Sequence, residues 1–166
     1  MPTYETLEDF WHEVENDIYR LLLLRANQLD NALTVTDASG AGGRLADRDT
    51  LEQMAAQVAD RLRSGDDETR RRASMIVGLV ADDLGRVPLR FHGTPLGRAC
   101  LLATPAGELA GLGMTMDQAG ALLGVSRQAV ADLLKRGKLA RVANVDEYVV
   151  DRASVQARLV ARLPQV

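Results

Sequence analysis

The residues best suited to chemistry stand at positions 126–128, where Ser126, Arg127 and Gln128 follow one another. An arginine can donate two hydrogen bonds to guanine O6 and N7, and a glutamine can pair with adenine in the same way. A serine hydroxyl at the start of a helix, together with the free N–H groups there, suits a phosphate. Lys135 and Lys138 lie further along and are placed to contact a DNA backbone. This combination predicts binding to duplex DNA.

The flanking residues predict two helices that would present these side chains. Thr115 and Gln118 have the spacing of a capping box, which starts a first helix. Gly124 suits a tight turn with a positive φ, and Ser126 can cap a second helix that Gly137 ends. The apolar residues expected to pack the second helix on the first are Val130, Leu133 and Leu134. Two short helices joined by the turn 124–126 have helix-turn-helix geometry.

A β-hairpin and a last helix are predicted to follow. Residues 139–142 and 148–150 are β-prone and are joined by the stretch 143–147, which predicts a hairpin wing beside the two helices. Asp151 can cap a final helix, whose inner face is Val155, Leu159 and Leu163. Arg141 and Asn144 belong to the wing and join the predicted DNA-contacting set. That set is Ser126, Arg127, Gln128, Lys135, Lys138, Arg141 and Asn144.

Residues 113–163 resemble the winged helix-turn-helix of the excisionase group, which is related to the DNA-binding domain of MerR-type regulators. The residues that carry the resemblance are Met116-Asp117-Gln118-Ala119, Leu122-Leu123-Gly124-Val125-Ser126-Arg127, Val130, Leu133-Leu134-Lys135-Arg136-Gly137-Lys138-Leu139 and the helix that starts at Asp151. The resemblance implies binding to double-stranded DNA as a dimer or in cooperative arrays. It also implies a role as a transcription regulator, an antitoxin or a recombination directionality factor. We therefore expect a sequence-specific DNA-binding protein that is not an enzyme and needs no cofactor.

Three acidic residues depart from the family pattern. Members usually carry a basic cluster at the wing tip, where this chain has Asp146 and Glu147. They often have a basic or polar residue where Asp132 stands. Acid at these places would repel phosphate. The alternative is a protein-interaction module, an adaptor or antitoxin that uses the winged helix as a docking surface.

The charge changes sign along the chain, whose net charge is −3. Residues 1–114 have 12 Lys and Arg against 18 Asp and Glu, which gives −6, and residues 115–166 have 8 against 5, which gives +3. This change indicates two units, of which the C-terminal one suits a phosphate backbone. We predict a mainly α protein with a helical self-association domain at 1–104, a linker at 105–111 and a winged helix-turn-helix at 112–166.

The N-terminal unit is predicted to contain one long helix and several shorter elements. Apolar residues recur at a step of roughly 3.7 between residues 5 and 35, which predicts a helix that packs on other helices or on a second copy of the chain. The elements expected after it are a loop at 36–43, a second helix capped by Asp49 with Glu52, a third helix at 67–84, an edge strand at 87–92 and a short helix that opens at Thr94-Pro95. Side chains expected to face the core include Leu23, Leu24, Met54 and Ile76.

Other chemistry finds little support in the sequence. Cys100 is the single cysteine, which rules out an internal disulfide and fits a reducing cytoplasm. The N-terminus lacks a secretion signal, and the apolar run 21–24 is too short to cross a membrane. His12, His92 and Cys100 form no ligand or nucleophile–base motif, so neither a metal site nor a catalytic residue is predicted. The arginines at 70–72 follow an acidic run and are typical of a solvated helix face.

Overall fold

The structure is a computed structural model, which describes residues 4–36, 47–81, 89–142 and 149–163. These residues are mainly helical, which confirms the predicted class. The helices are α1 (Leu7–Thr36), α2 (Arg48–Ser64), α3 (Asp67–Ala81), α4 (Leu89–His92), α5 (Pro95–Ala103), α6 (Ala106–Leu109), α7 (Met116–Leu123), α8 (Arg127–Lys135) and α9 (Arg152–Val160). Two short strands, β1 (Gly113–Met114) and β2 (Val150–Asp151), pair antiparallel, with Gly113 opposite Asp151 and Met114 opposite Val150. Within the described ranges, no helix combines the length and apolarity that a membrane crossing requires.

A first core lies between α1 and three other helices of the N-terminal half. Phe10, Val14 and Ile18 of α1 are almost fully buried and follow the spacing of a helical stripe. Their buried neighbours on α2, α3 and α5 are Ala55, Ala59, Leu62, Ala73, Val77, Leu96, Ala99 and Ala103. Five of these eight are alanines, so the helices can approach closely around the ring of Phe10. Tyr4 and Trp11 contact that ring edge-on, with centroid distances of 5.2 and 5.3 Å.

A second core forms among α7, α8 and α9. Its buried leucines and valines are Leu122, Leu123, Val130, Leu134, Leu139, Val150, Val155 and Leu159. Burying each side chain contributes about 1.5–3 kcal/mol relative to leaving it in water. Asp151 caps α9 as predicted, since its Oδ2 accepts a hydrogen bond from Ser154 N at 2.9 Å. This core holds the two helices of the predicted DNA-binding unit together.

Two buried polar side chains join the cores. Arg98 on α5 is 3% exposed and donates from Nε to Leu122 O, near the C-terminal end of α7, at 2.8 Å. Gln156 on α9 is 8% exposed and donates from Nε2 to Leu101 O at 2.8 Å and to Thr104 O at 2.6 Å. Backbone carbonyls left over at helix ends need such partners when they are buried. The C-terminal helices are therefore hydrogen-bonded to α5 and the residue that follows it.

The segment predicted as a linker, 105–111, contains the short helix α6. Its Leu109 is 4% exposed, so this stretch packs against the protein. The domain boundary placed here from the sequence stays a prediction. The loop predicted at 36–43 is wrong at Thr36, which is the last residue of α1. Residues 37–43 and the predicted end of the third helix at 84 lie outside the described residues.

The predicted edge strand at 87–92 is wrong over its described part, because residues 89–92 form the helical turn α4. Gly93 N donates to Arg90 O at 3.2 Å and Thr94 N donates to Phe91 O at 3.0 Å, so the backbone is satisfied locally. Alternating polarity over six residues does not separate a strand from such a turn. The start of α5, with Thr94 as cap and Pro95 in the first turn, is as predicted.

The second helix begins earlier than predicted. Asp47, not Asp49, is the N-cap, since Asp47 Oδ1 accepts from Thr50 N at 2.7 Å. Glu52 is ion-paired with Arg48 at 2.7 Å and does not close a capping box. Four side chains expected in the core are instead 36–48% exposed, namely Leu23, Leu24, Met54 and Ile76. These four side chains lie beside the buried stripes of their helices. The period of the buried stripes was predicted correctly, but each stripe is narrower than predicted.

The arginine run on α3 is neutralised within its own helix. Arg70 is paired with Asp67, while Arg71 and Arg72 are both paired with Glu68 at 2.6 Å. The three arginine side chains are 36–70% exposed. The run is the solvated helix face that the sequence predicted.

Candidate nucleic-acid interface

Helix α7 begins with the capping box that the sequence predicted. Thr115 Oγ1 accepts from Gln118 N at 3.1 Å, and Gln118 Oε1 accepts from Thr115 N at 3.0 Å. The two bonds satisfy two N–H groups that have no partner inside the helix. The start of α7 is therefore set by residues within one turn of each other.

The turn between α7 and α8 depends on two glycines. Gly124 has φ 64° and ψ 37°, a left-handed conformation that costs a glycine little. At Gly120 a Cβ would lie 2.8 Å from Val125 O, so the turn packs directly on the helix backbone. Val125 N donates to Gly120 O at 2.9 Å and completes this contact. The predicted role of Gly124 is confirmed, whereas the requirement for a glycine at 120 was not predicted.

Helix α8 buries one face and exposes the other. Ser126 caps it, with its hydroxyl accepting from Ala129 N at 3.2 Å. Of the three residues predicted to face inward, Val130 and Leu134 are buried and Leu133 is partly buried against the same core. After the helix, Gly137 has φ 65°, and Lys138 N donates back to Leu133 O at 2.8 Å. The predicted site residues on or beside α8 that are exposed are Ser126, Arg127, Gln128, Lys135 and Lys138.

Arg127 has a partner that the sequence did not predict. Its Nη1 lies 2.9 Å from Asp117 Oδ2 on α7, and the two side chains are 63% and 44% exposed. An exposed ion pair of this kind contributes roughly 0–1 kcal/mol, so the arginine can be released at low cost. Asp117 belongs to the sequence motif that carries the family resemblance. It is ten residues from Arg127 along the chain, so no local sequence pattern predicts the contact.

The two segments predicted to flank the wing are paired where the structure describes them. Arg141 forms an antiparallel bridge with Val150, Val142 N donates to Val149 O at 3.1 Å, and Asp151 N donates to Ala140 O at 3.0 Å. Arg141 is exposed on this ladder. The tip at 143–148, with the predicted site residue Asn144 and the acidic Asp146 and Glu147, lies outside the described residues. The pairing of β2 with β1 on the far side was not predicted.

The exposed surface around α8 carries mixed charge. Arg136 is exposed beside Lys135 and adds a basic residue that the predicted set omitted, although it belongs to the run Lys135–Lys138. Asp132 is exposed on the same helix. Among the described residues, the surface thus combines the basic groups of α8, its C-terminal turn and Arg141 with two carboxylates, Asp117 and Asp132. Basic charge exceeds acidic charge, which suits a polyanion.

The thiol of Cys100 and the imidazole of His92 lie on α5 and α4 and are not part of the α8 surface. Burial raises the pKa of the Cys100 thiol to about 12, although a hydrogen bond with Ser74 opposes the rise. The thiol is therefore protonated near neutral pH and is a poor nucleophile. Burial and the nearby Arg152 charge lower the pKa of His92. In the described part of the chain, no three His, Cys, Asp or Glu side chains are grouped so that they could hold a metal ion.

The described part of the chain thus brings six of the seven predicted site residues to α8, its ends and the neighbouring ladder. Comparisons of the chain with protein-family models, with curated proteins and with solved structures find no match. The resemblance to the excisionase group stays a prediction.

Proposed function

We propose that the chain is a sequence-specific double-stranded DNA-binding protein of the winged helix-turn-helix type. The observation that carries the proposal is the orientation of α8. Val130 and Leu134 pack this helix on the second core, which leaves Arg127 and Gln128 exposed in its first turn. The first turn is the part of a recognition helix that reaches base edges in the major groove.

The proposed roles follow from the chemistry of each side chain. Arg127 reads guanine and Gln128 reads adenine, each through a pair of hydrogen bonds. The Ser126 hydroxyl and the N-terminus of α8 bind a phosphate. Lys135 and Lys138 at the other end of the helix, with Arg141 on the ladder, position the flanking DNA backbone. Asn144 is proposed to contact the backbone from the wing.

A dimeric transcription regulator is the form of the proposal that the N-terminal helices support. Helix α3 exposes Met75, Ile76 and Leu79, which are 61%, 46% and 69% accessible. Exposed apolar side chains of this size are suited to association with a second copy of the chain. Two copies would place two α8 helices on two half-sites and would explain specificity for a short operator.

A second candidate function is supported by the acidic residues of the same surface. Asp132 is exposed on α8, and Asp117 forms an ion pair with the guanidinium of Arg127. A docking module for a basic protein partner would use these carboxylates, whereas a DNA-binding surface must tolerate them. The two functions can be distinguished because only DNA binding requires contacts with phosphates, and such binding weakens as the salt concentration rises.

The test is a titration of the full-length chain into fluorescent random-sequence duplex at several salt concentrations. If three side chains contact phosphates, log K should fall with log salt with a slope of roughly −3 per bound protomer. A triple variant, Lys135→Gln, Lys138→Gln and Arg141→Gln, should lose most of the affinity and most of the slope. A control with the same charge change on the N-terminal helices, Arg48→Gln, Arg61→Gln and Arg72→Gln, should bind as the parent does.

Two results contradict the proposal. In the first, the parent chain fails to bind duplex even at low salt, which favours the docking module. In the second, the two triple variants lose affinity equally, which shows that binding follows net charge and not the α8 surface.

If the α8 surface does bind duplex, its specific site is found by selection from a random duplex library. Arg127→Ala is the variant expected to relax the selected sequence.

A further inference from the structure

A cavity of about 180 Å³ lies where the N-terminal helices meet the C-terminal unit. One side is formed by residues of α3, α4 and α5, and the other by residues of β1, α7 and α9. Its apolar wall includes Phe91, Leu101, Met114 and Leu122. We propose that this cavity binds a small apolar monocarboxylate, with the apolar body against this wall and the carboxylate at Arg152 and Gln118. The site is independent of the proposed DNA surface, which lies on α8.

The polar end of the cavity offers donors. Arg152 Nε donates to Gly113 O at 3.1 Å, and its two Nη groups have no hydrogen-bond partner among the described residues. Gln118 uses its Oε1 in the capping box, so its Nε2 amide, 3.5 Å from His92 Nε2, retains a proton for a ligand. Arginine and amide donors in this arrangement suit a carboxylate, which accepts through both oxygens.

Charge excludes the opposite type of ligand. The residues that line the cavity include Arg152 and contain neither Asp nor Glu. A cationic ligand would therefore be buried beside a positive charge with no carboxylate to balance it, which is costly. An anionic head group would instead neutralise the positive charge of Arg152.

Size limits the ligand to about one ring or a short chain. An apolar cavity of about 150 Å³ is known to hold benzene, so about 180 Å³ has room for a benzene-sized body with a small head group. His92 and Arg152 are only partly buried, so the polar end is open to solvent. Benzoate has the volume and charge that the cavity requires and is the probe for the test.

The experiment is a titration of the full-length chain with benzoate, followed by the NMR signals of the histidine rings. The chain has two histidines, so His12 serves as an internal control. Burial and the charge of Arg152 lower the pKa of His92 in the free protein. A bound carboxylate should raise it and should shift the His92 signals saturably while His12 stays unchanged. Benzyl alcohol, which is similar in shape but uncharged, should bind at least about tenfold more weakly, because it lacks the charge-assisted bonds.

Two variants assign the effect to the cavity. Arg152→Gln should weaken benzoate binding about tenfold or more, whereas Arg61→Gln, on the exposed surface of α2, should leave it unchanged. Gly78 lines the α3 side, and a Cβ there meets no atom within 4 Å, so the side chain of Gly78→Leu begins in open space beside the cavity and is expected to occupy it. It should abolish binding even if Arg152→Gln proves to be misfolded.

The proposal is overturned by any of three results. The first is a titration that does not saturate at roughly 10 mM benzoate, which exceeds the dissociation constant of about 1 mM that suits a ligand of this size. The second is a joint shift of the His12 and His92 signals, which indicates a general salt effect. The third is binding of benzoate by folded Gly78→Leu protein as strong as by the parent, which places the ligand elsewhere.

Discussion

Asp117 Oδ2 lies 2.9 Å from Arg127 Nη1 and joins the first turn of α7 to the first turn of α8. The pair lies at the surface of α7 and α8, whereas Leu122 and Val130 of the same two helices are buried in the second core. Because both side chains are exposed, the pair adds little to stability. If Arg127 reads guanine as proposed, its guanidinium cannot keep its carboxylate partner in the same geometry.

Substitution of Arg127 should change which DNA sequences are bound. Arg127→Ala is expected to cost about 1–3 kcal/mol of binding free energy at the selected site and to relax the preference at one base pair. Lys138→Ala, the matched control, should weaken binding to all sequences alike and make the salt slope shallower by about 1. Competition titrations with the selected site and with single base-pair variants measure both effects. An Arg127→Ala protein that keeps the parent's sequence preference would show that this residue does not read bases.

Removal of the Asp117 charge should strengthen DNA binding. Asp117→Asn removes the ion-pair partner of Arg127 from the surface that is proposed to face phosphates, so affinity should rise by roughly two- to fivefold, the equivalent of an exposed ion pair. The gain should shrink at high salt, because screening already weakens the pair there. The double variant Arg127→Ala with Asp117→Asn measures the coupling between the two residues. A tenfold loss of affinity in Asp117→Asn would instead mean that the carboxylate orients Arg127 for binding.

Local signals explain which parts of this structure were predictable. The caps at Thr115, Ser126 and Asp151 and the turn at Gly124 depend on residues within three or four positions of one another, and all four were read correctly from the sequence. The bond from Arg98 to Leu122 O and the pairing of β1 with β2 join segments far apart in the chain, and neither leaves a local pattern.

Local signals also explain which parts of the candidate site were predictable. The exposure of Arg127 and Gln128 followed from the helical period of α8, whose apolar positions point inward. The partner of Arg127 depends on the angle between α7 and α8 and on the side-chain rotamer. The spacing of apolar residues in the sequence predicts neither of these. The false strand at 87–92 has a related cause, because six alternating residues are too few to distinguish α4 from an extended segment.

The buried guanidinium of Arg98 should be important for stability. Arg98→Met keeps most of the apolar stem but removes the bond to Leu122 O, leaving a buried carbonyl without that donor. We expect a loss of about 1–3 kcal/mol in the free energy of unfolding, measured by urea denaturation. Arg162→Met is the matched control: Arg162 donates to the next carbonyl, Leu123 O, at 3.0 Å, but is exposed, so water can replace it. Equal losses in the two variants would contradict a special role for the buried residue.

Two Gly→Ala substitutions should have opposite effects. At Gly120 the new methyl group would lie 2.8 Å from Val125 O, so α7 or the turn must move, at a cost of about 1–3 kcal/mol. At Gly78, inside α3, the methyl group meets no atom within 4 Å, and the higher helix propensity of alanine should stabilise the protein by about 0.5–1 kcal/mol. Thermal unfolding should show a lower Tm for Gly120→Ala and a Tm roughly 1–4 °C higher for Gly78→Ala. A Gly120→Ala protein as stable as the parent would mean that the turn is not held tightly against α7.

The stability of the protein should depend on His92 in mildly acidic solution. Burial, and then the charge of Arg152, lower the pKa of this imidazole below the ordinary value of 6.5. The unfolded chain therefore binds a proton at a pH where the folded protein does not, so stability is lost as the pH falls through 6.5 and the loss levels off below the folded pKa. Above 6.5 both states are neutral and the term vanishes. Urea unfolding of the parent and of His92→Gln between roughly pH 5 and 8 isolates this residue, because the carboxylates contribute equally to both proteins. The difference in unfolding free energy between them should be constant above 6.5 and should move in favour of His92→Gln below it. A difference that does not vary with pH would show that His92 is not held in the neutral form by its surroundings.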